Sequence, residues 1–182
     1  MNYYVVQVKT GGEEKFMKSA RIELGRIDEQ ESAQLIWPRR KLKIRRKGKT
    51  KDELAAIFPG YVFVEAETIG GEVYWSIRRS IGFYRFLKDN RNIQPLAGQD
   101  RELLVHFLHL GEVVEKSRVY FDENNRIRVS HGALKGLEGL IVKVDKRKRR
   151  AKVRLSLYDD SFLIDFGFEL MESMEANEKG KE

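Results

Sequence analysis

The sequence contains no cysteine and only three histidines among its 182 residues. Without thiols there is no disulfide, no thiolate zinc site and no cysteine nucleophile. His106 and His109 stand three apart in a helical pattern, a spacing that some metal sites use. No third ligand stands at a matching distance, and the intervening Phe107 and Leu108 read as ordinary helix surface and core. No apolar run approaches the roughly 20 residues needed to span a bilayer. The opening "MNYYVVQVKTGGEEK" lacks the basic segment and long apolar stretch of a secretory leader. The expectation is a soluble, cytoplasmic monomer with no membrane partner. Gly11-Gly12 precede a helical pattern without the Lys-Ser/Thr of a phosphate-binding loop. Asp159-Asp160 falls in a turn pattern, an ordinary place for carboxylates, and no Ser-His-Asp arrangement is legible. A protein that is not an enzyme, with no cofactor and no metal, is expected.

What the chain has in excess is positive charge. Lysine and arginine number 35 against 28 acidic residues, a formal net charge of +7. That balance favours anionic partners, nucleic acid first. The charge is concentrated in places. In "VKVDKRKRRAKVRL" the residues Lys146, Arg147, Lys148, Arg149 and Arg150 follow one another between two strand patterns. A tight turn between strands ordinarily takes Gly, Asn or Asp for backbone reasons. This turn is built from cations, either to meet an anion or as a solvated tip.

The first part of the chain mixes strand and helix patterns. Residues 3–8, "YYVVQV", are β-branched and aromatic and predict a buried strand. "TGGEE" predicts a turn into a helix, with Thr10 as a candidate cap and Glu13 and Glu14 in the first turn. Phe16, Met17, Ala20, Ile22 and Leu24 then predict its buried face, and Gly25 its end. "AQLIWPRRKLKIRRKGKTKDE" begins as a strand and becomes strongly basic, with a hairpin tip at Lys47-Gly48-Lys49. Pro59-Gly60 predicts a corner before a strand at 61–65 that is covered on both faces. A helix to Arg79, a strand at 83–87 and a helix ended by Gly111 follow. This is an α+β sandwich with an antiparallel sheet.

After residue 111 the pattern changes to short alternating strands, "RIRVS", "LEGLIVKV", "AKVRLSL" and "SFLIDF". Parity predicts inward faces of Ile127 and Val129, of Leu140, Val142 and Val144, of Val153, Leu155 and Leu157, and of Phe162, Ile164 and Phe166. Several short strands with turns between them predict a small β-barrel. By the same parity Arg126, Arg128, Lys143, Lys152 and Arg154 point outward, beside the basic tip.

Taken together, these stretches resemble the NusG family of transcription elongation factors over nearly the whole length. "YYVVQVKTGGEEK" is similar to that family's opening strand, turn and helix, and "FPGYVFVE" to its most recognisable stretch. "RIRVSHGALKGLEGLIVKVDKRKRRAKVRLSL" resembles a KOW module, with Gly132, Gly136 and Gly139 in place; Gly139 is expected where a barrel strand approaches its neighbour closely. The resemblance implies a NusG amino-terminal domain at 1–111, a linker at 112–121, an SH3-like β-barrel (KOW) domain at 122–173 and a disordered tail at 174–182.

The resemblance also implies partners. The amino-terminal domain of such factors grips the clamp helices of the largest subunit of RNA polymerase through an exposed apolar patch, onto which Phe58, Tyr61, Phe63 and Phe86 fall. Aromatics suit such a role, giving large contact area with few rotatable bonds. The basic segment 39–51 and the pair Arg78-Arg79 are expected toward DNA, with the non-template strand as partner. Tyr158 matches the aromatic through which the family's KOW domain meets a ribosomal protein or Rho, but Asp159-Asp160 replaces the usual Gly and basic residue, which sets the chain apart from members with those partners. The basic tip and its basic flanks instead resemble the specialised antiterminators of the LoaP type, implying a KOW domain that binds nascent RNA, with a hairpin as the expected element. The resulting expectation is processive elongation past pauses and terminators. Two alternatives are a general NusG factor coupling polymerase to Rho or the ribosome, and a ribosome-associated KOW protein.

Overall fold

The computed structural model describes residues 1–27, 33–158 and 160–171. Asp159 and the expected tail at 174–182 lie outside the described residues. By compactness the chain divides into two units, Met1–Pro38 with Phe58–Val105, and Arg39–Ile57 with the residues from His106 onward.

The first unit is built on a four-stranded sheet of order β2-β5-β1-β6, formed by β1 (Asn2–Val8), β2 (Gln34–Ile36), β5 (Tyr61–Ala66) and β6 (Phe83–Phe86). All its pairings are antiparallel. Helices α1 (Glu13–Leu24) and α2 (Gly71–Arg79) belong to this unit, and α3 (Gly98–Leu108) begins in it. Tyr4, Val6 and Val8 of β1 and Val62 and Val64 of β5 pack with Phe16, Met17 and Ala20 of α1 and Val73 and Ile77 of α2. This one apolar cluster is what the period-two and period-3.6 patterns of these segments demand.

Two details of α1 differ from the sequence expectation. Thr10 does not cap it: the N-cap is Gly12, with no side-chain cap hydrogen bond. Ile22 is 60% exposed, because the buried face runs through Glu13, Phe16, Met17 and Ala20, and position 22 lies round the helix from it. Glu13 is buried for a polar reason. Its Oε1 accepts the Gly60 N–H at 2.7 Å, tying the helix start to the corner before β5. Gly60 has φ 84, and a Cβ there would stand 2.8 Å from Thr10 Oγ1, so glycine is required twice over.

The second unit holds two sheets. One has the order β4-β3-β7, from β3 (Arg39–Arg46), β4 (Lys49–Ala56) and the short β7 (Val113–Val114). The other has the order β10-β11-β12-β8-β9, from β8 (Ser117–Phe121), β9 (Ile127–His131), β10 (Ile141–Asp145), β11 (Arg150–Leu157) and β12 (Asp160–Leu170). It is antiparallel except where the end of β12 runs parallel to β8, Phe168 opposite Ser117 and Leu170 opposite Val119. Ala151, Val153, Leu155 and Leu157 of β11 are buried, as are Ile164, Phe166 and Phe168 of β12. Phe107 stacks on Phe166 at 5.6 Å between ring centroids.

Strand β10 departs from simple alternation. The register shifts between Ile141 and Lys143, so the expected inward set of Leu140, Val142 and Val144 is broken. Leu140 and Val142 are exposed, Val142 to 47%, while Ile141 pairs with Val153 and Val144 with Ala151. An irregularity of this kind re-aims side chains that parity alone would place inward. The close approach expected at Gly139 occurs instead at Gly132, which has φ 101 and where a Cβ would stand 2.7 Å from the Ser117 Cα; a Cβ at Gly139 meets nothing within 4 Å.

Candidate nucleic-acid interface

The β3–β4 hairpin is anchored in the second unit by one buried cation. Arg40 Nε donates to the Asp165 carbonyl at 2.6 Å, its Nη1 donates to the Ala56 carbonyl, and the guanidinium lies 5.7 Å from the centroid of the Phe166 ring. Burial pushes the Arg40 pKa down to about 10, against the favourable field of Asp165 and with the repulsion of Arg150. The group stays charged at neutral pH because its donors are satisfied and its plane rests on a ring.

Further along β3, the Lys43 carbonyl accepts a hydrogen bond from Arg150 Nη2, at the start of β11, at 2.7 Å. This bond joins two segments separated by 107 positions. It sets the basic β3–β4 hairpin beside the basic turn that links β10 to β11. Between them lies a groove of about 690 Å³, lined by Lys43, Arg45, Arg147, Lys148, Arg149 and Arg150 together with Ile44 and Thr50. Six of its eight lining residues are cations.

The turn itself is well defined. Asp145 pairs with Arg150, leaving a four-residue loop. Asp145 Oδ1 accepts the Lys148 N–H at 2.8 Å, and the Arg149 N–H donates to the Lys146 carbonyl at 3.3 Å. Arg149 has φ 52, the left-handed conformation usually given to Gly or Asn. The tip of the β3–β4 hairpin does the same, with Lys47 at φ 49 followed by Gly48 at φ 78. On the outer face of the sheet Lys143, Lys152 and Asp165 stand in one row across β10, β11 and β12. A second, smaller cleft of about 240 Å³ is lined there by Lys143, Asp145, Lys148, Arg150, Lys152 and Asp165.

The expected basic residues differ in their engagement. Lys152 pairs with Asp165 at 3.1 Å and Arg150 with the same carboxylate at 3.8 Å. Arg128 pairs with Asp122 at 2.9 Å. Asp122 also accepts the backbone N–H groups of Arg126 and Asn124, and these contacts, Arg126 foremost, hold its carboxyl below the ordinary aspartate value. Lys146 donates to Asn125 Oδ1 and lies 3.8 Å from the centroid of the Phe121 ring. Arg126, Lys143, Arg147, Arg149 and Arg154 are exposed. Arg78 and Arg79 lie on α2, in the first unit, and both are engaged: Arg78 donates to the Tyr74 hydroxyl at 2.7 Å and stacks on Tyr74 and Trp75, and Arg79 pairs with Glu23 at 3.6 Å. They are not brought to the groove.

The four aromatics expected on an exposed patch are all buried. Strand register separates them further. Val5 stands opposite Phe63, and Gln7 opposite Tyr61, so these two aromatics share the sheet face turned away from α1 and α2. Phe58 meets Phe63 edge to face at 5.4 Å. Val6 stands opposite Phe86, which puts Phe86 on the helix-covered face, stacked on Tyr74 at 5.7 Å. Phe86 therefore belongs to the core and cannot share a patch with Tyr61 and Phe63. Tyr158 is half-buried in the turn after β11, with φ 52.

Sequence reading found the cations but not the groove. The partner of the turn lies in a hairpin about a hundred positions earlier, and a side chain to backbone bond leaves no pattern in the sequence.

Comparison with known proteins agrees with this architecture. A family model described as "Transcription termination factor nusG" matches residues 1–105. The chain is 25% identical over 185 residues to the transcription termination/antitermination protein NusG of Borreliella burgdorferi, covering 94% of this chain and 98% of that protein. It is 26% identical over 174 residues to the Escherichia coli O6:H1 protein of the same name, covering 93% and 94%. A solved structure concerned with domain interaction in Thermotoga maritima NusG shares the fold, with TM-score 0.54, 17% identity and coverage of 91% of this chain and 93% of that one. The family model spans more than half of the chain, and the chain belongs to the NusG family of transcription factors.

Proposed function

We propose that this NusG-type factor promotes processive, antiterminated elongation, holding RNA polymerase through its amino-terminal half and nascent RNA through the basic turn of its KOW domain. The observation that carries the RNA half of this reading is the placement of Arg147 and Arg149, exposed at the tip of a turn whose backbone would be more comfortable with glycine. Cations at such a tip suit phosphate, which RNA presents along its whole length.

The polymerase half rests on family membership; Tyr61 and Phe63 share one sheet face but are buried in this structure. Neither residue belongs to the apolar cluster beneath α1 and α2. The clamp helices of the largest subunit are the expected contact. Because Phe63 is buried, Phe63→Ala is expected to cost about 3–5 kcal/mol of stability and would confuse folding with binding. Phe63→Leu keeps most of the apolar volume and is the better probe. It should weaken polymerase binding by about 1–3 kcal/mol with a cooperative melt retained.

The relatives are named for both termination and antitermination, so the sign of the effect is itself the test. Purified full-length protein should raise read-through at an intrinsic terminator on a template whose leader encodes an RNA hairpin. The R147Q/R149Q variant should lose that gain while still binding polymerase. Increased termination with Rho, insensitive to that variant, would reject the antitermination reading in favour of a general coupling factor, the role that Tyr158 would serve.

A further inference from the structure

We infer that the RNA site is not the KOW turn alone but the composite groove between that turn and the β3–β4 hairpin, and that its ligand is a paired RNA stem gripped by phosphate. The inference rests on the RNA-binding reading above and adds to it a second half of the site and a ligand geometry.

The placement of the hairpin makes the site composite. It lies in the stretch that the amino-terminal family model matches, yet it packs in the second unit. Arg40 fixes its base on the Asp165 and Ala56 carbonyls, and Arg150 fixes its middle at the Lys43 carbonyl. These bonds leave the side chains of Lys43 and Arg45 exposed and lining the same groove as Arg147, Lys148 and Arg149. Arg150 is thus a positioning residue, holding the two cationic walls at a set spacing.

The chemistry of the lining selects the ligand. Cations this close repel one another unless an anion lies between them. Of the acidic residues nearby, Asp145 and Asp165 line the smaller cleft on the outer face, and Asp52, opposite Lys43, pairs with Lys116; none of the three lines this groove. The neutral lining residues are Ile44 and Thr50, and no aromatic side chain lines the groove among the described residues. The Phe121 ring, beside the turn, already lies under Lys146. Proteins that hold unpaired strands stack the bases on aromatic rings. A groove with charge and no ring reads backbone, and paired RNA is recognised chiefly through its phosphates and shape.

The test uses the full-length protein and an RNA stem-loop of about 16 base pairs, the span of known double-stranded-RNA readers. Binding is followed by fluorescence anisotropy at several salt concentrations, beside an unpaired RNA of the same composition and the same sequence as duplex DNA. The variants are K43Q/R45Q in β3 and R147Q/R149Q in the turn; the Lys43 carbonyl that Arg150 uses survives the first. Wild-type protein should prefer the stem-loop. Each double variant should weaken stem binding about tenfold and lower the slope of log affinity against log salt by roughly 0.9 for each phosphate it no longer neutralises. Normal stem binding by K43Q/R45Q, with weakened binding by R147Q/R149Q, would overturn the composite groove and leave the RNA reading standing. Preference for unpaired RNA or for duplex DNA would overturn the paired-RNA ligand. Absence of binding to any of the three nucleic acids would overturn the RNA reading itself.

Discussion

The two hairpins that wall the groove meet the same backbone problem differently. The β3–β4 loop has two residues, both left-handed, and gives one of them to glycine, Lys47 at φ 49 and Gly48 at φ 78. The β10–β11 loop has four, and its left-handed position is held by Arg149 at φ 52. A side chain in that conformation costs roughly 1–2 kcal/mol relative to its relaxed state, a cost that glycine avoids. The first tip therefore carries a cation where two glycines would be easiest, and the second carries no glycine at all. Charge stands at both tips where backbone preference points the other way, and the RNA-binding proposal gives the placement of Arg149 a use.

The largest expected effect breaks the pair apart. Arg40→Ala leaves the Asp165 and Ala56 carbonyls without their donor and should destabilise the full chain by about 2–4 kcal/mol in chemical denaturation. An unchanged midpoint would mean that the β3–β4 hairpin is not held by this side chain. Next comes the turn itself. Arg149→Gly should stabilise the protein by about 0.5–1 kcal/mol and at the same time weaken RNA binding; Lys47→Gly, at a residue that does not line the groove, should stabilise it alike and leave RNA binding unchanged. A gain in stability with no loss of affinity at Arg149 would remove that tip from the interface.

A smaller effect sharpens the comparison from the side of the carboxylates. Asp165→Asn frees Arg150 and Lys152 from their ion pairs. It should raise RNA affinity about two- to threefold and steepen its salt dependence, while thermal stability falls by at most about 1 kcal/mol. The smallest effect is in acid. Asp52 is held below the ordinary 3.8 chiefly by its hydrogen bond from Lys116, and Asp122 chiefly by the Arg126 N–H. As pH falls through 3.8 the unfolded chain takes up these protons first, so the stability they contribute is present above that value and lost as pH drops through their lower folded values. Thermal melts on either side of about pH 4 should show the loss, and Asp122→Asn should blunt it.

Much of the fold was legible in the residues because it is local. The β-branched and aromatic run of β1, the alternation in β11 and the glycine after α1 predict their own elements, and Lys47-Gly48 marks its own turn. The readings that failed depend on partners in space. Val142 turns outward because β10 is irregular against β11. Phe86 goes to the core because its partner in β1 is Val6 and not Val5. Gly132, not Gly139, meets Ser117 because of how β8 and β9 are aligned. The groove is the extreme case: each wall was visible as a basic stretch, and nothing in either stretch names the other.

Strand β12 carries a consequence for how this protein is made. Its first part pairs with β11, through Gly167 opposite Arg150, and its last residues pair with β8. It is the only strand joining the β10–β11 and β8–β9 hairpins in that sheet among the described residues. It also supplies, at Asp165, the carbonyl that receives Arg40. During synthesis the β3–β4 hairpin leaves the ribosome early, pairs with β7 once residues 113–114 follow, and lacks the Asp165 carbonyl that receives Arg40 until residues 160–170 follow. The amino-terminal sheet, whose strands end at Phe86, can close well before that, as domains folding in order of synthesis do. A chain still on the ribosome would therefore complete its amino-terminal sheet before the groove between the two basic hairpins.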